Sequence, residues 1–216
     1  MLVCKALVKP TRENIMANPS FPPEGRRGSA RRITVVGEDV LARPCRDVTE
    51  FGTTELSTLI DDMFTTMYVA EGVGLAANQV DVDLRLFVYD CTDENGERHV
   101  GHVVNPVLEE LPAEERNLVE ASEGCLSVPG PHTELARPDR AVVHGQDKDG
   151  TQITVTGTGY FARCLQHETD HTLGQLYLDR VPKRLRKRLL REMSEQQDAV
   201  FERRAELTAA LQPSSD

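Results

Sequence analysis

The segment 166–171, Gln166-His167-Glu168-Thr169-Asp170-His171, carries the clearest chemical pattern in the chain. Side chains four residues apart lie on the same face of an α-helix, so His167 and His171 point in one direction and can bind one metal ion. Glu168 lies on the edge of that face, where it can handle the protons of a water activated by the metal. The segment predicts a helix that supplies two metal ligands and a general base.

Two histidines leave a metal ion short of ligands, and cysteine is the candidate residue type to complete the site. Cys164 precedes His171 on the same helix, but seven residues correspond to about 10 Å along the axis, which is awkward for one ion bound at about 2 Å. Cys125 is distant in sequence, and its neighbour Gly124 allows a close approach. We favour Cys125 as the third ligand, and Cys164 stays as the alternative.

The composition predicts one folded domain in a reducing compartment. The chain has 216 residues, of which 39% are hydrophobic, and this is enough for a sizeable core. Its five cysteines are an odd number without the spacing of a disulfide framework: Cys4, Cys45, Cys91, Cys125 and Cys164. No apolar run of about eighteen residues occurs, and the apolar start at residues 1–8 is too short for a signal peptide. We therefore expect a cytoplasmic protein that does not bind membranes.

The net charge of −10 is unevenly distributed along the chain. Residues 1–32 carry +5 and residues 181–216 carry +2, so the residues between them carry −17. Binding to the phosphates of nucleic acids requires clustered Lys and Arg side chains. The acidic body therefore argues against DNA as a partner, and any contact with RNA must involve the ends of the chain.

The distribution of proline, glycine and hydrophobic residues divides the chain into three parts. Residues 1–32 are rich in proline and glycine and lack a hydrophobic period, so we expect a flexible N-terminal tail. Order is predicted to begin at the β-branched run of residues 33–36, and residues 33–181 form the catalytic domain. Residues 182–216 form a C-terminal helix and tail, because strong helix formers follow Pro182.

The hydrophobic pattern predicts helices and hairpins in a definite order. A helix capped by Thr53 or Thr54 buries an apolar stripe from Leu56 to Met67, and the main helix begins near Thr156 or Thr158 and ends at Gly174. The predicted strands are residues 84–89, 100–104, 142–143 and 153–155, with Asn105 and Pro106 ending the second one. We therefore expect an α+β fold with antiparallel β-sheets around a central metal-binding helix and a C-terminal helix.

Basic residues are concentrated in the first turns of the C-terminal helix: Lys183, Arg184, Arg186, Lys187, Arg188 and Arg191. Such a run is usually only a solvated helix face. Its contrast with the acidic body also favours a surface that faces RNA or the ribosome.

Three segments together resemble peptide deformylase of the bacterial type. They are residues 72–79 (Gly-Val-Gly-Leu-Ala-Ala-Asn-Gln), residues 123–127 (Glu-Gly-Cys-Leu-Ser) and the segment 166–171, in the order and spacing of that family. The resemblance extends from about Ile33 to Arg180. It implies metal-dependent removal of the formyl group from formyl-methionine at the N-terminus of nascent proteins, with release of formate.

The resemblance also implies roles for individual residues. A ferrous ion would be held by Cys125, His167 and His171, with zinc, nickel or cobalt as possible substitutes. Glu168 would act as the acid and base, while the Gln79 side chain and the Leu126 amide would donate hydrogen bonds to the oxyanion. The substrate-binding residues implied are Val73, Gly74, Glu123, Tyr160 and Cys164. Near Gly74, the nascent peptide would add as an extra strand.

Two departures from the family pattern bear on efficiency. Thr172 stands where many members have a larger apolar residue, and the predicted loop 129–137 is lengthened. His132 and Arg137 lie in that loop, and neither matches the arginine that steadies the peptide in many members. Two alternative functions remain: a helical zinc metallopeptidase that uses the same His-Glu-x-x-His pattern, and a catalytically weak deformylase-like paralogue.

Overall fold

A computed structural model describes residues 22–211 of the chain. The strands in this range are β1 (Gly74–Ala76), β2 (Leu86–Thr92), β3 (Arg98–Leu108), β4 (Leu118–Cys125), β5 (Val128–Pro138), β6 (Arg140–Gln146) and β7 (Gln152–Thr158). The α-helices are α1 (Thr54–Val69), α2 (Gly159–Thr172) and α3 (Lys183–Leu211). Short 3-10 helices occupy Pro23–Arg26, Asp39–Leu41, Ala77–Val80, Ala113–Glu115 and Tyr177–Asp179. The predicted α+β class, with antiparallel sheets and a C-terminal helix, is confirmed.

The strands form two antiparallel sheets on either side of α2. The larger sheet has the order β1-β2-β3-β6-β7, and β4 pairs with β5 in the smaller one. Helix α2 packs on the larger sheet, where Phe161, Ala162 and Leu165 are fully buried against Phe87 and Val143. Its opposite side faces the β4–β5 pair. The central position predicted for this helix is therefore confirmed.

Helix α1 confirms the predicted cap and the predicted apolar stripe. The Thr53 side chain accepts a hydrogen bond from the Leu56 amide at 3.1 Å, which satisfies one of the free donors at the helix start. The buried members of the stripe are Leu56, Leu59, Ile60, Met63, Phe64 and Met67. They pack against β1 and β2 and form one of three apolar clusters in the described residues.

The ends of α2 and α3 also agree with the ends that the sequence predicts. Helix α2 follows Thr158, and the chain turns after it at Gly174, whose φ of +73° lies in the left-handed region. Helix α3 extends from Lys183 to Leu211 and buries Leu189 completely. None of the helices in residues 22–211 combines the length and the hydropathy of a membrane span.

The predicted tail over residues 1–32 is wrong for residues 22–32, which pack on α1. The Thr65 hydroxyl donates to the Gly25 carbonyl at 3.0 Å, and the Ser29 amide donates to the Asp62 carboxylate at 2.7 Å. Gly28 lies so close to the α1 backbone that a Cβ atom there would overlap it. Contacts of this kind do not require apolar residues at regular spacing, so no hydrophobic period in the sequence indicates them. Residues 1–21 and 212–216 lie outside the described residues.

Two predicted breaks in the β-structure are also wrong. Strand β3 continues past Asn105, because a bulge at this residue (φ +50°) lets its side chain accept from the Val48 amide at 2.8 Å and donate to the Val48 carbonyl at 2.9 Å. The expected loop 129–137 is strand β5, which pairs with β4 along almost its whole length. In both places, pairing with a neighbouring strand outweighs the local signal of proline.

Candidate metal centre

Three potential ligand atoms converge between α2 and the tip of the β4–β5 hairpin. The Nε2 atoms of His167 and His171 lie 3.2 Å apart, and the Cys125 Sγ atom lies 3.2 Å from His171 Nε2. All three ligand atoms fall within 4.8 Å of one another, and the two histidines are buried. Cys164, the alternative third ligand, is not part of this cluster. One α-helix and one hairpin therefore supply the whole group.

The turn between β4 and β5 determines the position of Cys125. The register of the pair shifts between Gly124 and Cys125, so the ladder opens at the tip of the hairpin. The Ser127 amide folds back and donates to Cys125 Sγ at 3.4 Å. Gly124 is covered by the His132 ring, which a Cβ atom at this position would overlap. The tight turn aims the sulfur at α2.

A buried carboxylate orients the first histidine. The Nδ1 atom of His167 is 2.7 Å from a Glu123 oxygen, so Nδ1 donates and Nε2 keeps the lone pair that a metal requires. Burial alone would raise the pKa of Glu123, but hydrogen bonds from Arg137 and His167 outweigh it and hold this pKa well below its usual range. Glu123 is therefore a charged partner of His167 inside the protein.

Arginines neutralise this carboxylate and tie it to α2. Arg137, only 2% exposed, donates two hydrogen bonds to Glu123 at 2.6 and 2.7 Å and one to Asp170 at 2.9 Å. Arg163 adds a bond to Glu123 at 2.9 Å, and Arg180 pairs with Asp170. Arg137 is thus fully engaged inside the protein, and it is not available to hold a peptide at the surface.

Glu168 lies beside the two histidines with one oxygen unpaired. The residue is 4% exposed, and its Oε2 atom is buried without a hydrogen-bond partner among the described residues. Burial raises the pKa of its carboxyl to about 7. Gly74 is in close contact with Oε1, where any Cβ atom would overlap the carboxylate. The glycine in β1 therefore makes room for the acid group of α2.

The Gln79 side chain also contacts the cluster of ligand atoms, at Cys125. Its Oε1 atom accepts from the Ala76 amide at 2.9 Å, which fixes the orientation of the side-chain amide. Its Nε2 atom then donates to the Ser127 hydroxyl at 3.2 Å and to Cys125 Sγ at 3.6 Å. Gln79 is 1% exposed and directs a neutral donor at the centre of the site.

A cavity of about 380 Å³ opens onto this centre. It is lined by all of the predicted substrate-binding residues, Val73, Gly74, Glu123, Tyr160 and Cys164, and by Gln79, Cys125, Leu126, His167 and Glu168. Cys164 Sγ is 3.6 Å from the Val73 carbonyl, so it belongs to the wall of the cavity. Tyr160 is 53% exposed and lies at the entrance. The structure therefore brings the three sequence segments to one cavity.

Sequence reasoning missed further residues that support the site. Val200 and Arg204 of α3 line the same cavity, although only the basic start of this helix was conspicuous in the sequence. Asn78 donates to the His171 carbonyl at 2.6 Å and secures the end of α2. Asn78 stands next to Gln79 in the segment 72–79, whereas no local signal in the sequence identifies Val200 or Arg204.

The residues of the centre fit a catalytic metal ion. One thiol and two imidazoles form a donor set that suits first-row divalent ions, and three protein ligands leave a further coordination position for substrate or water. The hydrogen bond at His167 Nδ1 already selects the tautomer needed for binding. The hydroxyl of Thr172, the polar departure from the family pattern, is buried and satisfied, because it donates to the Thr169 carbonyl at 2.8 Å.

Comparison of this chain with known proteins finds the same family by its sequence model and by individual relatives. The family model for polypeptide deformylase matches residues 30–187. Peptide deformylase 1 of Streptomyces avermitilis is 61% identical over 169 residues, which cover 78% of this chain and 78% of the relative. Peptide deformylase 2 of the same organism is 51% identical over 177 residues, covering 82% of this chain and 92% of the relative.

Solved structures with a similar fold include two bacterial peptide deformylases. The enzyme from Ehrlichia chaffeensis in complex with actinonin has a TM-score of 0.70 at 32% identity and covers 77% of this chain and 97% of that one. The enzyme from Legionella pneumophila has a TM-score of 0.69 at 35% identity and covers 86% of this chain and all of that one. The range matched by the family model, residues 30–187, includes both sheets and α2.

Replacing Arg137 by methionine should destabilise the protein strongly. The substitution leaves two buried carboxylates short of a partner, and breaking such a pair costs about 3–5 kcal/mol. Urea denaturation of the metal-free protein measures the free energy of unfolding. The matched control is Arg140→Met, because Arg140 pairs with Glu115 at 3.3 Å with both side chains 49% exposed, and an exposed pair contributes about 0.2–1 kcal/mol. Equal destabilisation by the two substitutions would contradict the role given to Arg137.

Proposed function

This chain belongs to the polypeptide deformylase family, and we propose that Cys125, His167 and His171 hold its catalytic metal ion. The enzyme is a metal-dependent hydrolase that removes the formyl group from the N-terminal formyl-methionine of nascent proteins. The products are formate and a free N-terminus. The family match sets aside the helical zinc metallopeptidase, which rested on the His-Glu-x-x-His pattern alone.

The observation that carries the proposed site is the convergence of three ligand atoms with an unpaired buried carboxylate. When bound, the ion supplies Lewis acidity towards the formyl carbonyl and the attacking water. We propose Fe²⁺ as this ion, with Zn²⁺, Ni²⁺ or Co²⁺ as substitutes, because all four accept one thiolate and two imidazoles. The donor set itself does not discriminate among them, so the choice of iron rests on the resemblance to the family.

Glu168 is the residue proposed to move protons. Its carboxylate lies one residue from His167, lines the cavity and has a free oxygen, so it can accept a proton from the attacking water. The same group then returns the proton to the amine that leaves. The other described carboxylates that line the cavity are engaged, since Glu123 is bonded to two arginines and His167, and Glu71 pairs with Arg203.

Two neutral donors are proposed to stabilise the negative charge that develops on the formyl oxygen. The Gln79 amide group is fixed by Ala76 and directed at the centre, and the Leu126 amide belongs to the turn that carries Cys125. Neutral donors held in place before the reaction pay no cost of reorganisation when the charge forms. The close approach of Gly72 to the Leu126 side chain, where a Cβ atom would meet it at 2.7 Å, keeps this turn near β1.

The peptide substrate is proposed to lie along β1. Among the described strands, β1 pairs only with β2, so its other edge, at Gly74, has backbone groups available for an added strand. The methionine side chain then enters the cavity between Val73, Tyr160 and Cys164. Glu123 contributes to the polar side of this wall. The described residues 33–181 contain all of these contacts and are proposed as the catalytic domain.

The basic start of α3 is proposed to face the ribosome, where the substrate emerges in the cytoplasm. Five of the six basic side chains listed above are exposed, and the sixth, Arg186, pairs with Asp179. An exposed basic surface on an otherwise acidic protein attracts the phosphates of RNA. The helix itself is anchored by the buried Leu189, so its truncation would disturb the fold as well as the charge.

The catalytic proposal is tested with protein loaded anaerobically with Fe²⁺. The wild-type enzyme should release formate from formyl-methionyl peptides in equal amount to new amino groups. Glu168→Gln should retain the metal while turnover falls by at least about 10²-fold, because only the proton carrier is removed. The control is Glu134→Gln on the exposed side of β5, which should match the wild type. Loss of metal from Glu168→Gln, or near-normal turnover, would contradict the assigned role.

Charge reversal tests the ribosome proposal without removing α3. The double substitution Lys183→Glu and Lys187→Glu should reduce co-sedimentation with ribosomes several-fold at low salt, because the phosphate contacts are lost. The control, Arg140→Glu with Lys148→Glu, makes the same change of net charge on the β6–β7 hairpin. If the two double variants co-sediment equally, the basic start of α3 is not a ribosome-binding surface.

A further inference from the structure

Helix α3 crosses β5 and passes the wall of the catalytic cavity before it ends at Leu211. Its first half is anchored by Leu189, which is fully buried in a cluster with Val128 and Tyr177. Farther along, Gln196 packs on Gly130, where a Cβ atom would meet the glutamine side chain at 2.6 Å. Two turns later, at about 12 Å along the axis, Arg204 reaches the cavity. The terminal helix is thus a part of the site.

Arg204 makes a specific contact there with the turn that carries Cys125. Its Nη2 atom donates to the Leu126 carbonyl at 3.0 Å. Burial lowers the pKa of the Arg204 guanidinium, and the neighbouring Cys125 opposes this shift, which places the two groups within electrostatic reach. An arginine stays charged in such a position, so a positive charge is held next to the turn.

The contacted carbonyl and the hydrogen bond to the sulfur belong to the same peptide group. The Leu126 carbonyl accepts from Arg204, and the Ser127 amide at the other end of that peptide group donates to Cys125 Sγ at 3.4 Å. A charged donor on the carbonyl polarises the peptide and strengthens the donor at its amide end. The same contact restricts rotation of the peptide about Leu126.

We propose that Arg204 is a positioning residue for the metal centre, acting through the peptide group between Leu126 and Ser127. This inference rests on the proposed function, because it takes Cys125 as a metal ligand. Arg204 holds the peptide so that the Ser127 amide stays on the sulfur and the Leu126 amide stays directed at the cavity. Groups that orient a ligand from outside the coordination sphere affect metal affinity by about 10–100-fold when they are removed.

If Arg204 only held α3 in place, its substitution would affect the helix rather than the sulfur of Cys125. Helix α3 is also held by Leu189 and by the contact between Gln196 and Gly130, so the loss of Arg204 need not detach it. The effect should appear at the sulfur and leave the helix in place. Arg191 offers a matched control on the same helix, since its side chain is 71% exposed and pairs with Glu195 at 4.0 Å.

The experiment compares full-length wild type, Arg204→Met, Arg204→Lys and Arg191→Met after loading with Co²⁺. In Arg204→Met, the thiolate-to-cobalt charge-transfer absorption should shift and Co²⁺ affinity should fall about tenfold, at the low end of the effects of such supporting groups. Arg204→Lys should lie between this variant and wild type, because lysine can donate one hydrogen bond to the Leu126 carbonyl. Arg191→Met should match the wild type.

An unchanged absorption and affinity in Arg204→Met would overturn the proposal. If that variant loses its cooperative thermal transition, amide hydrogen exchange of Ser127 in metal-free Arg204→Lys decides: faster exchange than in wild type supports the proposal, and equal exchange overturns it. A wild type that lacks the charge-transfer absorption would overturn the assignment of Cys125 as a ligand, and with it this inference. Deformylase activity is measured separately, so the two failures are distinguishable.

Discussion

A single buried carboxylate, Glu123, connects the parts of this fold. It accepts hydrogen bonds from Arg137 on β5, from Arg163 on α2 and from His167 one turn farther along α2. A carboxylate without these partners could not stay charged at 4% side-chain exposure. Because Glu123 immediately precedes Gly124 and Cys125, the same ion pairs that bind the small sheet to α2 bring the sulfur to the histidines. The hydrogen bonds and ion pairs of Glu123 therefore determine both the stability of the fold and the geometry of the site.

Glycines allow the remaining elements to approach this centre. Gly74 leaves room for Glu168 next to β1, and Gly130 lets α3 lie directly on β5. Each close contact brings a functional group into the cavity: the carboxylate of α2 in the first case and the guanidinium of Arg204 in the second. The proposed chemistry thus depends on backbone positions where a side chain would not fit.

The sequence predicted most of what depends on local patterns. The helical period gave α1 and α2, and the segment 166–171 gave the two histidines and Glu168 on one face. Other features were missed because their causes lie far away in sequence. The packing of residues 22–32 on α1 follows from single backbone contacts, and Arg137 was placed in a loop because its strand contains prolines. Neither a charge network nor a helix crossing leaves a periodic signal in the sequence.

We propose that Cys125 and two histidines, rather than Cys164, bind the metal. X-ray absorption spectroscopy of the ferrous protein, prepared anaerobically, tests it directly by counting sulfur and imidazole ligands. We expect one sulfur and two imidazoles in the wild type and in Cys164→Ser, and no sulfur in Cys125→Ser. Sulfur that persists in Cys125→Ser, or that disappears in Cys164→Ser, would contradict it.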